Sequence, residues 1–169
     1  MSAKILWLTG LSGSGKSTLA KLLSSYFLRK KSKTKVKLID GDKFRKINKN
    51  KNSFSKKNIF INNLSIIRHA ESIKTRYDYI VVSVISPLAK TRLIARKKFK
   101  KKYFEIYLKS KVSSLRKRDP KGLYKNKNYK MIGVNSPIKY EQSNYKKIII
   151  NTDKLTKQES IKKIMRQIN

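Results

Sequence analysis

Lys4-Ile5-Leu6-Trp7-Leu8-Thr9 and the eight residues after it, Gly10-Leu11-Ser12-Gly13-Ser14-Gly15-Lys16-Ser17, decide the fold. The first six are a nearly continuous apolar run, the pattern of a strand buried on both faces. The next eight fit G-x-x-x-x-G-K-[ST] at every fixed position. Leu19, Ala20, Leu22, Leu23 and Phe27 then recur at helical spacing. A glycine-rich loop between a strand and a helix is a phosphate cradle. Its glycines let backbone N–H groups curl around phosphate oxygens, and the helix amino terminus adds a favourable dipole. Gly10, Leu11, Ser12, Gly13, Ser14, Gly15, Lys16, Ser17 and Thr18 are therefore expected to bind a nucleotide. In such loops the lysine, here Lys16, reaches the β- and γ-phosphates, and the hydroxyl, here Ser17, ligates Mg²⁺.

Outward from this loop, strand and helix patterns alternate. Residues 36–40 read as a second strand, 48–55 as a polar loop and 59–73 as a helix with Asn63, Ser65 and Arg68 among its polar positions. Residues 78–85 are the strongest strand, and Pro87 opens a helix to about residue 98. A strand at 103–108, a short helix at 112–117, a strand at 147–151 and a helix at 160–168 follow. The expected fold is α/β, a P-loop fold of about five parallel strands with helices on both faces and right-handed crossovers. One domain is expected over residues 1–169. Residues 119–144 lack periodicity but hold Lys-Gly, Ile-Gly and Ser-Pro turn pairs, and are expected to form a lid.

A length of 169 residues is about one domain's worth. No cysteine is present, which excludes a disulfide scaffold and a cysteine-based zinc site. No apolar segment is long enough to span a membrane, and the amino terminus does not read as a signal peptide, so a cytoplasmic protein with no membrane partner is expected. Lys+Arg is 44 against 9 Asp+Glu, a formal +35. This reads either as a nucleic-acid binder or as compositional drift toward lysine. The lysine runs are spread over the whole chain, which favours drift, with nucleic acid bound only non-specifically by counterion release. His69, Trp7, Tyr103 and Tyr107 read as packing residues.

With only nine acidic residues, the pair in Asp40-Gly41-Asp42 stands out at a strand end. A GTPase would carry Asn-Lys-x-Asp late in the chain, and Asn151-Thr152-Asp153-Lys154 does not match it. The strongest strand ends in Ser83-Val84-Ile85-Ser86-Pro87, without a Walker B aspartate. The aspartate pair is then the available carboxylate source for a small-molecule kinase. One carboxylate can hold the metal's waters, while the other orients or deprotonates the acceptor hydroxyl.

Several blocks together resemble the adenylylsulfate kinases (APS kinases). Trp7-Leu8-Thr9-Gly10-Leu11-Ser12-Gly13-Ser14-Gly15-Lys16-Ser17-Thr18 looks like their opening, and Asp40-Gly41-Asp42-Lys43-Phe44-Arg45 like their D-G-D-x-x-R. Phe54-Ser55 with Asn62 resembles F-S-x-x-D-R-x-x-N, and Val82-Ser83-Val84-Ile85-Ser86-Pro87 resembles S-x-I-S-P. Arg118-Asp119-Pro120-Lys121-Gly122-Leu123-Tyr124-Lys125 matches R-D-P-K-G-L-Y-K, and Ile132-Gly133-Val134-Asn135-Ser136-Pro137 resembles the second half of the family's lid. The blocks stand in the family's order and cover nearly the whole chain.

The resemblance implies transfer of the ATP γ-phosphate to the 3′-hydroxyl of adenosine 5′-phosphosulfate (APS). The product would be 3′-phosphoadenosine 5′-phosphosulfate (PAPS), with ATP and Mg²⁺ as cofactors and a homodimer as the assembly. It puts Lys16, Asp42 and Ser86 in the catalytic set, with Asp42 acting on the acceptor hydroxyl. Ser86 falls where the family is sometimes given a phosphoserine intermediate; in-line transfer needs none, so the residue reads as a substrate contact. Ser17 and Asp40 would hold the metal, and Arg118 would pack on the ATP adenine. Asp40, Asp42, Arg45, Phe54, Asn62, Ile85, Ser86 and Lys121 would form the substrate site, with Arg45 on the phosphosulfate, Phe54 on the adenine and Lys121 in the lid.

Departures from the family pattern mark the acceptor side. Asn58-Ile59 stands where the family has Asp-Arg, Met131 where it has Phe, and Asn135 where it has Asp; the lid is about four residues short. Restoring arginine at position 59 is expected to tighten APS binding. Two alternatives accompany the leading reading: a P-loop kinase of another small hydroxyl compound, or an inactive nucleotide-binding protein that binds nucleic acid.

Overall fold

The structure, a computed structural model, describes residues 2–30, 33–47, 55–119, 122–125 and 130–168. Strand β1 (Lys4–Thr9) leads through the glycine-rich loop into α1 (Lys16–Lys30). Then come β2 (Val36–Asp40), α2 (Gly41–Ile47), α3 (Lys56–Ile73) and β3 (Tyr79–Ser83). Helix α4 (Ala89–Phe99), one 3₁₀ turn (Lys100–Lys102), β4 (Tyr103–Lys109) and α5 (Val112–Arg118) follow. The chain closes with β5 (Ile148–Asn151) and α6 (Lys157–Ile168). The five strands are all parallel, in the order β2-β3-β1-β4-β5. The expected α/β fold is thus the observed one.

Strand β1 lies at the centre and is apolar because both of its faces are covered. Ile5 and Trp7 face α3 and α4, against Ile66, Ala70, Ala95 and Phe99. Leu6 and Leu8 face α1 and α6, against Leu19, Leu23, Phe27, Ile164 and Ile168. Phe27 also stacks on Tyr79, with ring centroids 3.8 Å apart. Truncating a wholly buried leucine such as Leu23 to alanine in such a core costs about 2–5 kcal/mol.

Local caps explain where the helices differ from the sequence reading. Helix α3 begins at Lys56, three residues before the expected start, because the Ser55 hydroxyl accepts from Asn58 N at 3.2 Å. Within it the polar Asn63 is buried, its Nδ2 donating to Ile59 O at 2.7 Å. Helix α6 likewise starts at Lys157, where Thr156 and Glu159 close a reciprocal capping box. Helix α2 follows β2 directly. Its cap is Asp40, whose Oδ1 accepts from Asp42 N and Lys43 N at 3.0 and 3.2 Å. Gly41 is required there, since a Cβ would sit 2.7 Å from Val84 Cγ2. Helix α4 begins at Ala89, two residues past Pro87. Leu88 gives it no side-chain cap; Glu141 Oε2 accepts from Ala89 N at 2.8 Å instead.

Among the described residues of 119–144 there is no helix or strand, but specific turns are present. Met131 O accepts from the amides of Val134, Asn135 and Ser136, and Asn135 Oδ1 accepts from Met131 N at 2.6 Å. Among the described residues no helix is long and apolar enough to cross a membrane.

Candidate active site

The carboxyl ends of parallel strands are where an open α/β sheet binds its ligands. The sheet register sets Leu8, Asp40 and Ser83 side by side at that edge. The glycine-rich loop leaves β1 beside them. Gly10 has φ +140°, and a Cβ there would meet Leu108 O at 2.6 Å, so both its backbone angle and its packing exclude a side chain. Lys16 is buried and its Nζ donates to Leu11 O at 2.7 Å, across the mouth of the loop. Ser14 is wholly buried in the cradle, and Leu11 O also accepts from Ser14 N.

Ser17 Oγ donates to Asp40 Oδ2 at 3.0 Å and lies 3.2 Å from Ser83 Oγ. A hydroxyl and a carboxylate oxygen on adjacent elements form a hard-oxygen pair suited to Mg²⁺, which favours one or two carboxylates plus substrate phosphates. No group of three or more His, Asp or Glu that could hold a metal ion is present among the described residues. Asp42 sits in the first turn of α2 with its carboxylate 59% exposed, 4.0 Å from Arg45 Nη2. Asp40 thus faces Ser17 at the end of the phosphate loop, while Asp42 is exposed and Arg45 half-buried beside it.

A cavity of about 720 Å³ runs from Gly13, Gly15 and Thr18 to Thr152, Leu155 and Thr156, with Arg118 at its rim. That volume and the neighbouring phosphate cradle fit a nucleoside triphosphate. Arg118 is fixed there: its Nη2 donates to Asp153 Oδ1 at 2.8 Å and its Nη1 to Thr152 O at 3.2 Å. Asp153 in turn accepts from Ser110 Oγ and Lys111 N. These bonds, together with Arg118, hold the Asp153 carboxyl below its ordinary range despite some desolvation. Opposite, the Tyr124 hydroxyl donates to Ser12 O at 2.8 Å, and Asp119 Oδ2 accepts from Tyr124 N and Lys125 N. The first arm of the 119–144 segment is thereby pinned to the phosphate loop.

On helix α3, Asn62 is buried and its Oδ1 has no partner among the described residues. Ile85 packs on a cluster of Ile59, Leu88 and Ile132. Ser86 is wholly buried, has φ +43°, and its Oγ lies 3.4 Å from Thr91 Oγ1. Phe54 and Lys121 lie outside the described residues. Ile59 is 8% exposed and packs with Leu88 and Ile132, which gives it a packing role at the position where the sequence reading expects an arginine to improve binding. The sequence reading missed Asp153, Tyr140, Glu141, Arg92 and Glu105. The last had a visible signal: one carboxylate inside the apolar strand Tyr103-Phe104-Glu105-Ile106-Tyr107-Leu108 must find a buried partner.

A family model described as adenylylsulphate kinase matches residues 2–151. The chain belongs to the adenylylsulfate kinase family. Among the relatives of this APS kinase family member, an Archaeoglobus fulgidus protein named "Probable adenylyl-sulfate kinase" is 35% identical over 120 residues, 71% of this chain and 76% of that one. The adenylyl-sulfate kinase of Buchnera aphidicola is 38% identical over 125 residues, 72% of this chain and 58% of that one. The structure of the Mycobacterium tuberculosis APS kinase CysC in complex with AMPPNP and APS matches at a TM-score of 0.84 and 27% identity, covering 98% of this chain and 96% of that one.

Proposed function

We propose that this chain transfers the γ-phosphoryl group of ATP to the 3′-hydroxyl of adenosine 5′-phosphosulfate, giving PAPS and ADP. The observation that carries the reading is the bond between Ser17 and Asp40, which sets Asp40 against the phosphate loop with Asp42 two residues further on. The acceptor oxygen attacks the γ-phosphorus, the bond from that phosphorus to the β,γ-bridging oxygen breaks, and ADP leaves. Phosphoryl transfer of this kind depends on positioning and charge stabilisation more than on covalent help. The amides of residues 10–16 and the Lys16 ammonium stabilise charge on the migrating group. The Asp42 carboxylate orients the acceptor hydroxyl and takes its proton. Ser17 and Asp40 would hold Mg²⁺, which would supply further charge neutralisation at the phosphates.

Arg118, held by Asp153, covers the ATP adenine at the cavity rim. Arg45 takes the phosphosulfate, Asn62 offers its unpartnered Oδ1 to the substrate, and Ile85 and Ser86 form the pocket wall. Ser86 contributes through its backbone, since its hydroxyl is turned to Thr91. Phe54 and Lys121 keep the roles that the family pattern gives them. In this reading residues 119–144 are the lid of a single kinase domain, and the enzyme works as a cytoplasmic homodimer.

The Ile59 cluster favours one second reading, a kinase of the same fold for a different hydroxyl compound. A panel of hydroxyl acceptors with γ-labelled ATP separates the two. APS should be phosphorylated with the highest kcat/KM. A far higher value for another acceptor would replace the reading.

A further inference from the structure

Arg92 of α4 and Glu105 of β4 form an ion pair, Nε to Oε1 at 3.3 Å, with side chains 0% and 1% exposed. A buried pair is tolerable only if its remaining donors and acceptors are satisfied. Here they are. Glu105 Oε1 also accepts from Ser143 Oγ at 2.6 Å, and Oε2 accepts from Tyr145 Oη at 2.6 Å. Arg92 Nε donates to Ser143 Oγ at 3.1 Å, Nη1 donates to Ser86 O, and Nη2 donates to Glu141 O.

The last two bonds matter most, because they join segments far apart in the chain. One is the turn at Ile85-Ser86-Pro87, where Ser86 holds a left-handed backbone that a residue with a Cβ disfavours. The other is the return arm of the 119–144 segment. Glu141 also bonds that turn through its own backbone, its N donating to Pro87 O at 2.9 Å. The guanidinium lies 5.0 Å from the centroid of the Tyr140 ring, which stacks on Tyr107. Thr9 Oγ1 donates to Ile85 O at 2.5 Å, so the Tyr140 hydroxyl, 2.9 Å away, is the donor to Thr9. Both carbonyls of the 85–86 wall are thus held, one from β1 and one from α4.

We propose that Arg92, fixed by Glu105, is a positioning residue for acceptor binding that locks the Ile85-Ser86 wall and the 140–143 return arm into one unit. The proposal rests on the reading of Ile85 and Ser86 as the acceptor wall. It makes Arg92 matter to the acceptor and not to ATP, although Arg92 touches neither.

Two variants of the full chain test it. Arg92→Lys keeps the charge, but its single ammonium cannot span both carbonyls and the carboxylate. The double variant Arg92→Met, Glu105→Leu removes the pair without leaving a lone buried charge, an exchange that is often neutral or stabilising. Three quantities are read: the thermal midpoint, KM for APS and for ATP, and hydrogen exchange at residues 139–145. In the double variant the fold should persist and KM for ATP should stay within about threefold, as for distant sites. KM for APS should rise about tenfold or more, the scale of a lost charge-assisted hydrogen bond. The amides of 139–145 should exchange about tenfold faster as their anchor is lost. Arg92→Lys should shift the same quantities in the same direction, by less.

Wild-type values of both KM and exchange in the folded double variant would overturn the proposal. So would loss of fold in both variants, which would assign the pair to the core alone. If wild type binds ATP but transfers nothing to APS, the substrate reading fails, and the exchange measurement still decides whether Arg92 couples the wall to the arm.

Discussion

On the nucleotide side, consecutive residues from Gly10 to Lys16 shape the phosphate cradle with their own backbone, and one more residue adds the Ser17 hydroxyl. The opposite wall is assembled differently. Thr9 holds Ile85 O, Arg92 holds Ser86 O and Glu141 N donates to the next carbonyl, Pro87 O, so three separate parts of the chain fix the turn, and Ile59 and Ile132 back it with an apolar cluster. The first wall is a local motif whose geometry follows from glycine conformations and a helix terminus. The second is a tertiary construction, built from β1, α4 and residues 140–143. A wall of the second kind can change its chemistry by changing one packing residue, and the acceptor side is where this chain departs from its family.

The largest effects should come from the groups that touch the migrating phosphoryl and its acceptor. Asp42→Asn should cut kcat about 10²–10⁴-fold, the range for losing a general base, while ATP affinity measured by titration stays near wild type. Equal losses in kcat and ATP affinity would break the division between the two walls. Lys16→Ala should cut kcat about 10²–10³-fold through loss of one fixed charge at the transition state, measured under saturating ATP. Near-wild-type turnover would mean that the cradle is not the catalytic phosphate site.

A smaller effect sharpens the acceptor side. Ile59→Ala should destabilise the protein by about 2–5 kcal/mol, seen as a fall in Tm on the order of 10 °C. Ile59→Arg should do at least as much damage, because the cluster of Leu88 and Ile132 offers a guanidinium no partner. A stable Ile59→Arg variant with a lower KM for APS would show that position 59 faces the substrate after all. On the nucleotide side, Asp153→Asn should free Arg118 and raise KM for ATP about tenfold at most, with KM for APS unchanged.

The smallest expected effect lies away from both walls. His69, beside Phe44, has its pKa lowered by desolvation and then by Lys37 and Arg76. The unfolded chain therefore binds the proton more readily. That contribution is fully present above the unfolded value near 6.5 and is lost as pH falls through the folded value. His69→Gln should flatten the stability profile on the acid side of neutrality, as read by Tm against pH.

The two walls also differ in how far they could be read from the sequence. The Gly10–Ser17 loop, the five strands and the Asp40-Gly41-Asp42 pair are local patterns, and each was legible. Helix α2 was hidden because Asp-Gly reads as a turn, although the same aspartate caps a helix. The early starts of α3 and α6 were written in Ser55 and in Thr156 with Glu159, cap signals that apolar periodicity does not weigh. The cap of α4 could not be read locally, because Glu141 supplies it from 52 residues further on. Arg92 looked like one of many cations on a basic chain; only the packing of α4 against β4 shows it wholly buried.

The central claim, that the two walls bring the ATP γ-phosphate to the 3′-oxygen of APS, is tested most directly by the position of the transferred phosphorus. Purified chain, ATP, Mg²⁺ and APS would be followed by ³¹P NMR with ADP measured in parallel. The account expects a new phosphomonoester coupled to the ribose 3′ proton, in one-to-one ratio with ADP, and its loss in Asp42→Asn. Phosphate at another position, or ATP-binding protein that forms no phosphomonoester from APS, would contradict it.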